Sequence, residues 1–152
     1  MLLACAALIA QYIKQVSPMD FSSVDWIAVV VAAVSAFVVG GIWYGPVFGK
    51  RWQALEGLSD EDIQNSGHPA VIMGSAFVFT LVQAAALAAV MPADGGVVGG
   101  VASGAFIGVF FVASAFGINY LFSRNPRGLW GIGAGYNVAQ LALMGAILGA
   151  FG

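Results

Sequence analysis

Charged side chains are scarce in this sequence. Asp, Glu, Lys and Arg make up 8% of its 152 residues, whereas 61% of the residues are hydrophobic. Because a soluble domain carries about 25% charged residues, this composition excludes an ordinary water-exposed surface. Together with a mean hydropathy of +0.93, it predicts an all-α membrane protein whose apolar surface faces lipid.

Basic residues, cysteine and histidine are also in short supply. The formal net charge is −2 and no basic patch is present, which argues against nucleic acid as a partner. Cys5 is the single cysteine, so an intrachain disulfide and a multi-cysteine zinc site are excluded. His68 is the single histidine and has no neighbouring cysteine. We therefore expect neither a metal nor another cofactor.

Four uncharged stretches are long enough to cross a bilayer, which needs about 20 apolar residues. In the first, Trp26 and Tyr44 lie about 27 Å apart at the helical rise of about 1.5 Å per residue. Aromatic residues at both ends of such a stretch are typical of the two membrane interfaces. Helix-start residues precede it: Asp20, Ser22, Ser23 and Asp25. The predicted spans are residues 26–44, 70–91, 97–122 and 129–151.

Residues 1–18 are set apart from the membrane domain, which we place at 19–152. The apolar run from Met1 to Ala10 is too short to span, and Lys14 follows it closely. It forms either an additional amphipathic helix or an extension created by a start codon upstream of the true one. We favour the second alternative, with Met19 as the start.

The segment after the first span combines aromatic and basic residues. Gly45 and Pro46 are expected to end the first helix, since proline lacks a backbone N–H donor. Phe48, Trp52 and Leu55 then recur at i, i+4 and i+7, which predicts a short helix in the lipid headgroups between the first two spans. The expected interfacial motif consists of Trp43, Tyr44, Pro46, Phe48, Lys50, Arg51 and Trp52.

Glycines recur at every fourth position in the last two spans. Such spacing produces a flat helix face on which another helix can pack closely. It predicts a compact bundle of four helices, and the same faces can also join copies of the chain into a homo-oligomer. The glycines concerned are Gly100, Gly104 and Gly108 in the third span, and Gly131, Gly135, Gly145 and Gly149 in the fourth.

The basic residues indicate an orientation. Lys50 and Arg51 lie between the first and second spans, and Arg124 and Arg127 lie near the connection between the third and fourth. The positive-inside rule then places loops 45–69 and 123–128 in the cytoplasm and both termini outside.

Few side chains inside the predicted spans can do chemistry. Acidic, basic and imidazole groups are missing there, and these usually mark ion pathways and proton relays. Four carboxamides remain as a candidate polar lining for a small solute: Gln83, Asn119, Asn137 and Gln140. Asn137 and Gln140, three residues apart, share a helix face. The favoured alternative is that these groups hydrogen-bond between helices.

Several motifs of this chain resemble one known family. They are Trp43–Trp52, Gly57–Ile63, Asn119–Phe122 with Arg124 and Pro126, Ala134–Tyr136 and Leu143–Leu148. In this order they resemble the family called domain of unknown function 1761, over about residues 19–152. The resemblance implies a small bacterial inner-membrane protein of four helices and implies no reaction. Many members have histidine after the Gly-Tyr pair, where this chain has Asn137, so a role for that histidine does not carry over.

Three functions fit these observations to different degrees. Abundant packing surface with few reactive groups favours a non-enzymatic structural or accessory component of the membrane. A second hypothesis is an oligomeric transporter or channel for small solutes, lined by the carboxamides. The weakest is an enzyme acting on lipids through Asp60, Asp62 and His68, because these residues lie in one loop without a partner cluster. The acidic residues are better explained as a capped helix start after Ser59.

Overall fold

The computed structural model describes residues 21, 24–65, 67–92 and 94–152, and this part consists of helices and short connections without a strand. Residues 1–20, Ser22 and Ser23 lie outside it, and so do the predictions made for them: the extension 1–18, the start at Met19 and the helix-start residues Asp20, Ser22 and Ser23. The described helices are α1 (Trp26–Val47), α2 (Gly49–Glu56), α3 (Asp60–Asn65), α4 (Pro69–Val90), α5 (Gly96–Phe122) and α6 (Arg127–Phe151). Four of them, α1, α4, α5 and α6, are long and apolar enough to cross a membrane.

Two helix starts follow from local side-chain chemistry. The Asp25 carboxylate accepts hydrogen bonds from the N–H groups of Ile27 at 2.8 Å and Ala28 at 3.2 Å, so it caps α1. Ser59 and Asp62 form the expected capping box at α3, because the backbone N–H of each donates to the side chain of the other.

The expected break at Gly45 and Pro46 is present. Gly45 leaves helical geometry, with φ −94° and ψ −105°, so the regular part of α1 ends at a kink there, and Val47 belongs to the turn that leads into α2. The Phe48 N–H donates to the carbonyl of Trp43 at 2.8 Å, and α2 begins one residue later. A side chain at Gly49 would strike the carbonyl of Tyr44, so glycine permits this abrupt change of direction.

Helices α5 and α6 run antiparallel with their backbones in contact. A β-carbon on Gly100 would collide with the carbonyl oxygen of Gly145, and one on Gly145 would collide with that of Gly100. A β-carbon on Gly149 would likewise collide with the carbonyl of Gly96, and one on Gly104 with the carbonyl of Leu141. At such separations Cα–H groups can contact carbonyl oxygens directly, which adds to dispersion between the helices. Of the glycines predicted to form packing faces, Gly100, Gly104, Gly108, Gly145 and Gly149 lie in this contact, whereas Gly135 lies against Trp43 of α1 and Gly131 has no neighbour within 4 Å of its missing β-carbon.

Alanines let α1 pack closely on the other side of α6. Ala32, Ala33 and Ala36 are fully buried, and their cluster includes Leu87 of α4 and Met144 of α6. Helix α6 therefore lies at the centre, with α1 and α4 on one side and α5 on the other. Helix α5 makes most of its contacts with α6, and Ile107 and Val112 of α5 also pack against the buried cluster.

Large apolar side chains cover the outer faces of the long helices. Phe79 of α4 is 71% exposed, and Val98 and Phe122 of α5 are 81% and 87% exposed. A monomeric soluble protein rarely exposes such continuous apolar surface. The outer faces are therefore suited to contact with hydrocarbon.

The backbone contact between α5 and α6 predicts that a single added methyl group lowers the stability of the protein. Gly104→Ala should lower the free energy of unfolding by about 1–3 kcal/mol, the usual cost of overpacking, because the atom it strikes is a backbone carbonyl that cannot turn aside. This cost opposes a gain of about 1 kcal/mol in helix propensity. Thermal unfolding in detergent, followed by circular dichroism, measures the difference.

Gly74→Ala is the matched control, since no atom lies within 4 Å of its missing β-carbon. It should leave stability unchanged or raise it by up to about 1 kcal/mol. Equal changes in the free energy of unfolding for Gly104→Ala and Gly74→Ala would contradict the backbone contact.

Candidate functional site

Three of the four candidate carboxamides meet between α4 and α6. The Gln140 amide nitrogen donates to the side-chain oxygen of Gln83 at 3.2 Å and to that of Asn137 at 3.1 Å. The Asn137 amide in turn donates to the carbonyl of Gly133 at 2.8 Å. Gln140 and Asn137 are 4% and 9% exposed. The pair at i and i+3 therefore forms one buried chain of hydrogen bonds with a residue of another helix.

Asn119 does not join this cluster. It is exposed on α5, and its amide donates to the carbonyl of Ala115 one turn earlier, at 3.0 Å. Thr80, which is buried on α4, behaves similarly and donates to Ala76 at 2.8 Å. The helical period predicts which residues of one helix share a face, but not which faces of two helices meet, and so it could not separate Asn119 from the other three.

The carboxamide cluster joins helices and satisfies its own polar atoms. Across the described residues, every buried side-chain nitrogen or oxygen has a hydrogen-bond partner. Each interhelical hydrogen bond of this kind contributes about 0.6–2 kcal/mol in a membrane. These three residues, Gln83, Asn137 and Gln140, are called the polar clasp below, because their hydrogen bonds join α4 to α6.

The aromatic residues of the predicted interfacial motif pack inward on α6. The Trp43 indole N–H donates to the carbonyl of Ile132 at 3.1 Å, and its ring lies against Gly135, which has no side chain to block it. Tyr44 contacts the ring of Tyr136, with centroids 5.2 Å apart. Trp43 and Tyr44 are therefore half-buried, and the Trp43 donor is already used within the protein.

The rest of the motif lies along α2 and at the turn before it. Phe48 contacts Trp43 with ring centroids 4.9 Å apart, and Trp52 contacts Tyr44 at 5.9 Å. The remaining members, Pro46, Lys50 and Arg51, are exposed.

Two aromatic residues join helices through hydrogen bonds that the sequence did not predict. The Trp130 N–H donates to the carbonyl of Ala113 at 2.9 Å, at the end of the π-helical stretch Gly108–Ala113 of α5. The Tyr136 hydroxyl donates to the carbonyl of Ala36 at 3.3 Å. π-Helical turns change hydrogen bonding locally, and the sequence offers no clear signal for them.

The acidic loop forms hydrogen bonds within itself. Hydrogen bonds from the side chain and backbone of Ser59 hold the pKa of the Asp62 carboxyl below its ordinary value. Asp60 accepts a hydrogen bond from the Gln53 amide at 3.2 Å. No group of three His, Cys, Asp or Glu residues suited to a metal ion occurs in the described ranges.

The polar clasp predicts that leucine destabilises the protein more at Gln140 than at Asn119. Gln140→Leu removes the donor shared by Gln83 and Asn137 and leaves two carboxamide oxygens without it. Unfolding free energy in detergent should fall by about 1–3 kcal/mol. Asn119→Leu, at an exposed site with a hydrogen bond to its own helix, should change it by less than about 0.5 kcal/mol. A larger effect at Asn119 than at Gln140 would contradict the assignment.

Comparison with known proteins places the chain in one family. A family model described as "Protein of unknown function (DUF1761)" matches residues 27–149, which include all four long helices except their outermost residues. No curated protein and no solved structure matches the chain. The resemblance seen in the sequence motifs is confirmed, and the chain belongs to the DUF1761 family.

Proposed function

We propose that this protein is a non-enzymatic multi-pass membrane protein and serves as a structural or accessory component of a bacterial inner membrane. One observation supports this most strongly: the buried polar side chains of the long helices hydrogen-bond to one another or to backbone carbonyls. A helix pair joined in this way needs no solute to complete its hydrogen bonds.

The distribution of charge supports both insertion and orientation. The four described basic residues, Lys50, Arg51, Arg124 and Arg127, lie at the end of the molecule where α2 contacts the start of α6. This end would face the cytoplasm under the positive-inside rule. Loops 45–69 and 123–128 would then be cytoplasmic and the termini outside.

Assembly through glycine faces remains part of the proposal, with a restriction on which glycines can take part. Gly100, Gly104 and Gly145 are covered within a single chain. Gly41 and Gly74 are free of neighbours within 4 Å of the missing β-carbon, so a second copy would have to use positions of this kind.

Insertion and orientation can be measured together. After alkaline carbonate washing, the protein should stay in the membrane pellet, because four apolar helices hold it there. Alkaline phosphatase, which is active outside the cytoplasm, should be active when fused after Gly152 and inactive when inserted after Arg124. Release into the supernatant would refute insertion, and the reverse reporter pattern would refute the orientation.

Solute flux separates a structural role from a transporter or channel lined by carboxamides. Liposomes containing the protein should swell in glycerol or urea no faster than empty liposomes, since the carboxamides bond one another. Light scattering in a stopped-flow instrument measures the swelling. Faster swelling that disappears in the double variant Asn137→Ala, Gln140→Ala would instead establish the transporter function.

A further inference from the structure

A cavity lies between α5 and α6 at the end of the molecule that carries the basic residues. Its volume is about 390 Å³, within the range of about 300–1,000 Å³ found for small-molecule sites. None of the polar clasp residues line it. The lining residues are Gly117, Tyr120, Leu121, Asn125, Arg127, Trp130 and Gly131.

The cavity exists because two of its lining residues are glycines and because the Trp130 indole is fixed by a hydrogen bond. No atom lies within 4 Å of the missing β-carbon of Gly131. Gly117 leaves room for Trp130, whose Nε1 would lie 3.2 Å from a β-carbon there. The hydrogen bond from Trp130 to Ala113 fixes the ring in that position. The cavity therefore has a firm aromatic and backbone wall.

Almost all of the surface inside the cavity is apolar. Of the polar lining residues, Asn125 lies in the connection between the two helices, and Arg127 begins α6 next to that connection. No acidic residue is among the lining residues, and Arg127 forms no ion pair with any described residue. A guanidinium that has no ion pair among the described residues and borders an apolar cavity is complementary to an anionic amphiphile.

The cavity borders the exposed apolar surface of α5. Leu121 lines the cavity and is 75% exposed, and the adjacent Phe122 is 87% exposed. In a bilayer, a lipid could therefore enter from the side without crossing a polar barrier. This position favours a lipid occupant over a water-soluble one.

We propose that this cavity binds one anionic phospholipid molecule, an inference that rests on the proposed membrane insertion. The phosphate contacts the Arg127 guanidinium and the Asn125 amide, since guanidinium groups bind phosphate through paired N–H donors. Part of one acyl chain lies against Leu121, Trp130 and the bare backbone of Gly131. The lipid thereby fills the gap that α5 and α6 leave at this end.

Native mass spectrometry of the detergent-solubilised full chain tests this. The protein is titrated with an equimolar mixture of phosphatidylglycerol and phosphatidylcholine, which share the acyl chains and differ in net charge. One molecule of phosphatidylglycerol should bind preferentially. Arg127→Gln should weaken its binding about fivefold, the effect of about one basic residue near an anionic lipid. Gly131→Leu should abolish binding of both lipids by filling the channel.

Two matched variants control for charge and for bulk. Arg51→Gln removes an exposed basic residue that does not line the cavity, and Gly74→Leu adds the same side chain at another open glycine. Each should change the affinity less than twofold. Equal loss in Arg51→Gln and Arg127→Gln, or unaltered binding in Gly131→Leu, would overturn the proposal. So would equal binding of the two lipids by the unaltered protein.

Two further outcomes identify a different occupant. Glycerol 3-phosphate binding as tightly as phosphatidylglycerol would show that the apolar wall contributes nothing. Displacement of lipid by a second copy of the chain, seen as a dimer lost in Gly131→Leu, would assign the cavity to a protein interface. Either result overturns the lipid site. Release of the protein by carbonate washing would refute the proposed function. A protein that stays in the membrane but shows no lipid preference would refute this inference alone.

Discussion

The contact between the backbones of α5 and α6 is the constraint on which the rest of the structure depends. Lipid provides no hydrophobic force between helices, so close packing must come from dispersion and from polar backbone contacts. Gly100 and Gly145, each placed against the carbonyl of the other, bring the helices close enough for both. Once α5 is held on one side of α6, α1 and α4 use the other side. The central position of α6 follows from this division.

Glycine has a second use at the end of the molecule that carries the basic residues, where the helices separate. There it makes room for aromatic rings rather than for another backbone. Trp43 lies against Gly135, and the Trp130 indole lies beside Gly117. Each indole N–H then donates to a carbonyl on a neighbouring helix. The backbone contact between α5 and α6 and the two indole rings therefore lie at different positions along the helices.

The sequence predicted those features that depend on one helix at a time. Charge-free stretches indicated the four long helices, glycine spacing indicated the packing faces, and Ser59 indicated the capped start of α3. Relations between helices could not be predicted. Asn119 looked equivalent to Asn137 until their helices were oriented, and Gly131 looked like a packing glycine although it borders the cavity. The π-helical stretch Gly108–Ala113 was also not predicted, nor was the hydrogen bond from Trp130 to the carbonyl at its end.

The most direct test of this account is a distance between Gly100 and Gly145 in a lipid bilayer. Solid-state NMR on protein labelled with ¹³C at glycine Cα and carbonyl positions can measure it. The account predicts strong cross-peaks between these two residues, as expected when Cα and carbonyl oxygen approach to about 3.3–3.6 Å. Their absence, with helix axes about 8–10 Å apart as in ordinary packing through side chains, would contradict it.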